Sequence, residues 1–233
     1  MKNNTENYYD DLYNELQMDA QRLYPNEEFI RFFSKYLKKK ENKSEIKVIE
    51  LGCGLCSNLI PVIENNFDVY GIDISKESIR LSNLRLANLG LKANLLAADC
   101  LQDNFGFNTN FDAVIDVFSM CCLNTNQFKQ LLTNIYNSLN KNGVFYSFFP
   151  SKNSQAFTNH SPSKLIDDST LNGIYRKDSP YYGNFYNFRF MYPYEYKTLL
   201  EDSGFEVIEL NTITRNHDMK ETFEHISITA KKV

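Results

Sequence analysis

Hydrophobic and polar positions divide the chain into two helical patterns followed by short apolar runs that alternate with amphipathic stretches. Tyr8, Tyr9, Leu12, Tyr13, Leu16 and Leu23 recur at roughly helical spacing over residues 8–23. Pro25-Asn26 then marks a boundary before a second helix, Glu27 to Lys38, with Phe29, Ile30, Phe33, Tyr36 and Leu37 on its apolar side. Five apolar runs read as strands: Lys47 to Leu51, Asp68 to Ile74, Ala93 to Ala97, Phe111 to Val117 and Val144 to Phe149. Helices are predicted from Ser57 to Asn65, from Ser75 to Gly90 and from Asn126 to Leu139. Pro61 falls early enough in the first of these to be tolerated, and Ser75 supplies an N-cap for the second. Gly143 is expected to take the left-handed conformation that closes the third.

Between Pro150 and about Tyr186 the period disappears. Regularity returns with a helix from Tyr194 to Gly204, a strand from Phe205 to Leu210 and a last strand from Ile226 to Ala230, which pair as a hairpin. Repeated βα steps imply right-handed crossovers and a mostly parallel sheet covered by helices on both faces, in one α/β domain. Ligands of such sheets bind at the carboxyl ends of the strands, where Asp73, Asp99 and Asp116 stand.

The stretch Val48-Ile49-Glu50-Leu51-Gly52-Cys53-Gly54-Leu55-Cys56-Ser57 brings chemistry into this architecture. A buried strand that breaks into a glycine turn and then a helix lets the backbone approach a ligand with no Cβ in the way. Dinucleotide-binding dehydrogenases and S-adenosylmethionine-dependent methyltransferases both use that geometry. The dehydrogenase pattern Gly-x-Gly-x-x-Gly would put its third glycine at Ser57, and it gives no reason for Glu50, for the acid after the third strand or for the closing hairpin.

From Lys47 to the C-terminus the chain resembles the class I S-adenosylmethionine-dependent methyltransferases. Glu50-Leu51-Gly52-Cys53-Gly54 resembles the family's first motif, Gly71-Ile72-Asp73-Ile74 its second, Ala98-Asp99-Cys100 its third and Phe111 to Asp116 its fourth. The resemblance implies a three-layer Rossmann-like fold with a seven-stranded sheet in the order 3-2-1-4-5-7-6. It implies S-adenosylmethionine as cofactor and S-adenosylhomocysteine as product. Glu50, Gly52, Cys53 and Gly54 would meet the methionine part, Asp73 with Ile74 the ribose, Asp99 with Cys100 the adenine, and Asp116 the cofactor or the acceptor's proton. The family's further glycine would stand at Cys56, which puts the path of the loop in question.

Composition narrows the partners. A net charge of -4 offers no basic face for a phosphate backbone, so no nucleic-acid partner is expected. The polar beginning, Met1 to Asn7, and the lack of any long apolar run predict a protein that is cytoplasmic and has no membrane partner. Five cysteines form an odd set without zinc-ribbon spacing, and no metal site is expected. A monomer or homodimer is expected.

The acceptor is expected to be a small molecule. Residues 1–45 read as a helical cap and residues 46–233 as the methyltransferase domain, with a substrate lid inserted at about 150–190. The lid concentrates aromatic side chains, among them Tyr182 and Tyr186, together with Arg176 and Arg189, which suit a polar ring or an anionic group. Phe188, Phe190 and Tyr192 are expected to pack the lid onto the sheet. Where the acceptor is a hydroxyl, its proton needs a base, and His160, His217 and Asp116 are the candidates. The opening helices with Tyr24-Pro25-Asn26-Glu27-Glu28 are similar to enzymes of bacterial surface-polysaccharide clusters. That similarity implies a sugar hydroxyl or a phosphorylated precursor as acceptor, with an amine of a small metabolite as the alternative.

Overall fold

The computed structural model describes residues 4–233, and the polar start Met1 to Asn3 lies outside the described residues. The chain begins with helix α1 (Asn4–Leu16) and a tight turn, then helix α2 (Glu27–Phe32), which widens into a single π turn over Phe33–Leu37. Asn26 caps α2, its side chain accepting from the backbone N–H of Glu28 and Phe29. Next come β1 (Lys47–Leu51), α3 (Leu59–Glu64), β2 (Asp68–Asp73), α4 (Lys76–Asn88), β3 (Asn94–Ala97), β4 (Phe111–Val117), α5 (Thr125–Ser138) and β5 (Leu139–Pro150). The lid contains a one-turn helix α6 (Gln155–Thr158) and three short strands, β6 (Leu165–Asp167), β7 (Thr170–Leu171) and β8 (Phe188–Arg189). Helix α7 (Pro193–Asp202) leads to β9 (Phe205–His217) and β10 (Glu221–Lys232).

The main sheet has seven strands in the order β3-β2-β1-β4-β5-β10-β9. With the three lid strands set aside, this is the expected 3-2-1-4-5-7-6. Strands β1 to β5 run parallel, and β10 lies antiparallel between β5 and β9. Both faces of β1 and β4 are covered, which is why Val48, Ile49, Ala113, Val114 and Ile115 are fully buried and why those strands read as continuous apolar runs. One core lies between the sheet, α5 and the lid. The other lies between the sheet, α2, α3 and α4.

Several elements depart from expectation. Strands β9 and β10 run well beyond the predicted hairpin, because main-chain pairing continues past the alternating apolar positions as far as His217 and Glu221. Asn142 (φ 65°), not Gly143, takes the left-handed conformation after α5. Asn tolerates that region, whereas Gly143 is required by close approach, since a Cβ there would lie 2.9 Å from the Asn140 carbonyl. In the lid, Phe188 and Phe190 are buried as expected, but Tyr192 is half exposed. Among the described residues no helix is long and apolar enough to cross a membrane.

Candidate functional site

The turn after β1 is built from three left-handed residues at alternate positions, Gly52 (φ 65°), Gly54 (φ 49°) and Cys56 (φ 60°). Cys56 therefore adopts, with a side chain, the conformation glycine takes most easily, and the loop keeps its path. Gly52 has no such latitude, because a Cβ there would fall 2.5 Å from Ser119 Oγ. Helix α4 holds the loop from behind. Ser78 and Ser82 both donate to the Gly54 carbonyl, and Arg85 donates to the Leu55 carbonyl at 2.6 Å.

Asp73 ties the loop to the end of β2. Its Oδ2 accepts from the Gly54 N–H and its Oδ1 from the Ser75 N–H, both at 2.9 Å. Burial pushes the Asp73 carboxyl up to about 6 despite these bonds. Ser75 caps α4 as predicted, accepting from Ser78 N–H at 3.1 Å, and its hydroxyl donates to Asp10 of α1 at 2.6 Å.

These elements enclose a pocket of about 640 Å³ at the carboxyl ends of β1 to β4. Glu50, Gly52, Cys53, Asp73, Ile74, Asp99 and Cys100, all predicted from sequence, line it. Gly54 supports the turn without lining the pocket. Glu50 is buried, and its Oε1 accepts from Asn58 Nδ2 at 2.6 Å. Its Oε2 is equally buried and has no hydrogen-bond partner among the described residues. Burial raises the Glu50 carboxyl well above its ordinary range. Arg22 also lines the pocket and acts on Glu50 in the opposite sense. Asp99 lines the wall while its Oδ1 accepts from Leu101 N–H at 2.9 Å.

The remaining predicted residues lie elsewhere. Asp116 does not reach the pocket: it is fully buried and accepts from the N–H groups of Ser119 and Met120 and from the Ser147 hydroxyl. Strand β4 turns it toward β5, where Ser147 is its register partner, and burial lifts its carboxyl to about 6. His160 sits in the lid with Nδ1 at 2.8 Å from the Phe157 carbonyl, and His217 is exposed at the far end of the hairpin. Neither is a pocket residue. Arg176 pairs with the buried Glu221 at 2.5 Å, and Arg189 is buried among Asp167, Thr125 and Thr170. Tyr182 is exposed. Tyr186 stands one residue behind the wall, its hydroxyl 2.7 Å from that of Tyr9, which does line the pocket.

Sequence reasoning did not single out Tyr9, Gln21, Arg22, Asn58, Phe118, Ser119 or Gln127 as pocket residues. The N-terminal ones are brought there by α1, whose Tyr8 donates to the Gly183 carbonyl of the lid at 2.9 Å. Their signal in the sequence was a helical stripe in which Tyr8, Tyr9 and Tyr13 are interleaved with leucines.

Residues 48–143 match the family model described as a methyltransferase domain. Glu50, Asp73 and Asp99 all fall inside that matched stretch. A carboxy-S-adenosyl-L-methionine synthase of Campylobacter concisus is 29% identical to it over 101 residues, a match that spans 42% of each chain. Among solved structures, an S-adenosylmethionine-dependent methyltransferase from Clostridium acetobutylicum has a TM-score of 0.64 at 16% identity, covering 98% of this chain and 99% of that one. A magnesium protoporphyrin IX methyltransferase from Synechocystis, solved with bound S-adenosylhomocysteine, has a TM-score of 0.66 at 14% identity, covering 98% of each. At such identities the structures establish the fold alone, and the family match runs from β1 to the start of β5.

Proposed function

We propose that the chain is an enzyme that transfers the methyl group of S-adenosylmethionine to a small polar acceptor and releases S-adenosylhomocysteine. The observation that carries this reading is Glu50, a residue of the pocket lining whose carboxylate oxygen Oε2 is buried without a partner among the described residues. Such an oxygen is costly to leave unpaired, and an ammonium N–H satisfies it. With Arg22 also in the wall, the pocket offers one acid and one base to the two charges of an amino-acid group. Asp73 keeps lone pairs for the ribose hydroxyls, and Asp99 with Cys100 and Leu101 lines a wall suited to adenine.

When bound, S-adenosylmethionine supplies an electrophilic methyl group on a sulfonium sulfur. The chain's own residues bind, orient and exclude water: Tyr9 and Phe118 line the pocket as aromatic walls, and the lid and α1 close over it. A sugar hydroxyl or a phosphorylated precursor is the acceptor suggested by the short similarity of the N-terminal helices. A phosphate would meet Arg22, since Arg176 and Arg189 are engaged with Glu221 and Asp167. An amine acceptor is the second reading, favoured by the direction of the hydrogen bonds behind Tyr9. A small-molecule acceptor in the cytoplasm, with neither nucleic acid nor membrane as partner, completes the proposal.

Calorimetric titration separates the cofactor classes. Micromolar binding of S-adenosylmethionine and S-adenosylhomocysteine with no binding of NAD is the expected result. Binding of NAD in their place would overturn the proposal.

A further inference from the structure

The pocket wall built by α1 and the lid carries a hydrogen-bond chain whose direction is fixed. Asn184 Nδ2 donates to the Tyr181 carbonyl at 2.7 Å, and a carbonyl can only accept. Asn184 Oδ1 is therefore the atom that meets Tyr186, and the Tyr186 hydroxyl donates to it at 2.6 Å. With that proton committed, the 2.7 Å contact between Tyr9 and Tyr186 has Tyr9 as donor. A phenol has one proton. Tyr9 lines the pocket, and its oxygen, with its one proton committed to Tyr186, offers lone pairs alone, so a ligand group that reaches it must be a donor.

The same chain is closed to protons. One placed on the Tyr9 oxygen would have to push the next toward Asn184 Oδ1, an amide oxygen that is not a base near neutral pH. Burial raises the pKa of both phenols, so each stays protonated. Phe118, Leu123, Gln127 and Pro180 also line the pocket and supply no base, and the Cys122 thiol beside Tyr9 is the one titratable side chain left on this wall; as a thiol it carries its own proton and takes none from a hydroxyl. Glu50, Asp73 and Asp99 belong to the cofactor's contacts in the reading above.

We propose that the acceptor is a small neutral amine, its N–H donating to Tyr9 and its nitrogen lone pair taking the methyl group. This rests on the methyl-transfer reading above. The nitrogen lone pair forms the new N–C bond while the C–S pair leaves on sulfur, giving S-adenosylhomocysteine and an ammonium product. The ammonium then loses its extra proton to solvent water. A hydroxyl would donate to Tyr9 equally well, but it must shed its proton as the O–C bond forms, and the chain behind Tyr9 has nowhere to send it. The cationic product suits a wall with the aromatic faces of Tyr9 and Phe118.

The test incubates the full-length protein and S-adenosylmethionine carrying a ¹³C-labelled methyl group with the small-molecule fraction of source-cell extract. NMR of the labelled methyl identifies the atom that received it. Label on nitrogen is the expected result. Label on oxygen or sulfur overturns this inference and leaves methyl transfer standing, whereas no labelled small molecule overturns the transfer reading itself. With the labelled acceptor in hand, Tyr9→Phe should raise its KM about tenfold, as loss of one buried hydrogen bond does, and leave S-adenosylmethionine affinity within about twofold. The kcat/KM profile of both proteins should rise through the acceptor's own pKa. A limb in the wild-type profile that Tyr9→Phe abolishes would make Tyr9 a base and overturn the assignment.

Discussion

Asn58 Nδ2 donates to Glu50 Oε1 at 2.6 Å, and this bond leaves Oε2 as the buried carboxylate oxygen without a partner among the described residues. Asn58 is itself oriented from the other side, where its Oδ1 accepts from Asn26 N–H at 2.8 Å. The N-cap of α2 and the acid of β1 are thus joined through one amide. Asn58→Ala leaves both Glu50 oxygens bare and favours the protonated acid. The expected outcome is a loss of S-adenosylmethionine affinity of about 10- to 100-fold, the range for a hydrogen bond to a charged group, read by calorimetry.

Affinity for S-adenosylmethionine should also depend on pH through Asp73. Burial pushes its carboxyl up to about 6, the ionised form is the one that accepts from Gly54 and Ser75, and under the proposed function the same form accepts from a ribose. Binding should be strongest above pH 6 and should weaken about tenfold per unit below it. Calorimetry at several pH values measures this slope. Asp73→Asn should remove the Asp73 component of the slope and be weak throughout.

Asp116 offers a test of structure against catalysis. Its folded pKa of about 6 lies above the ordinary carboxylate value of 3.8, so ionisation opposes folding: the stability it contributes is full below about 4 and lost as pH rises through 6. Asp116→Asn keeps an oxygen for the Ser119 and Met120 N–H groups and removes the charge. Its Tm should exceed that of the native protein at pH 8 and match it more closely at pH 5, with activity retained. Loss of activity with an intact fold would make Asp116 a catalytic base. Asp116→Ala, which abandons both N–H groups, should destabilise by about 2 kcal/mol or more.

At the glycine turn, two substitutions should behave oppositely. Gly52→Ala drives a Cβ into Ser119 at a left-handed position, and should abolish cofactor binding or folding. Cys56→Gly relieves about 1 kcal/mol of backbone strain while removing a buried side chain, and should change stability little. Thermal denaturation with and without S-adenosylhomocysteine distinguishes them.

Strands β1 and β4 were legible in the sequence because burial on both faces calls for apolar runs, and β2 because its apolar positions alternate with partly exposed ones. Asp99 and Asp73 point into the pocket, but the same rule does not say which way Asp116 points. That depends on Ser147, thirty-one residues later, taking its carboxylate. Arg176 and Arg189 looked like free cations for the same reason, since Glu221 and Asp167 become their partners only through the hairpin and the lid sheet. Tyr9 meets Tyr186 across 177 positions, a separation at which helical spacing carries no information. What local pattern conveyed was the scaffold and the acids at the ends of its strands; what it withheld was every pairing made between distant segments.

Strand β9 is a thirteen-residue edge of the main sheet, and an edge of that length presents a row of unpaired main-chain groups to any passing strand. Glu209 is engaged by Lys35 at 2.8 Å and Tyr36 at 2.6 Å, and Arg215 by Glu27 at 3.0 Å. Charge and ion pairing along this border work against its extension by a second chain. The helical segment that begins at the Asn26 cap, and so communicates with Glu50 through Asn58, also serves as a guard against sheet-to-sheet aggregation.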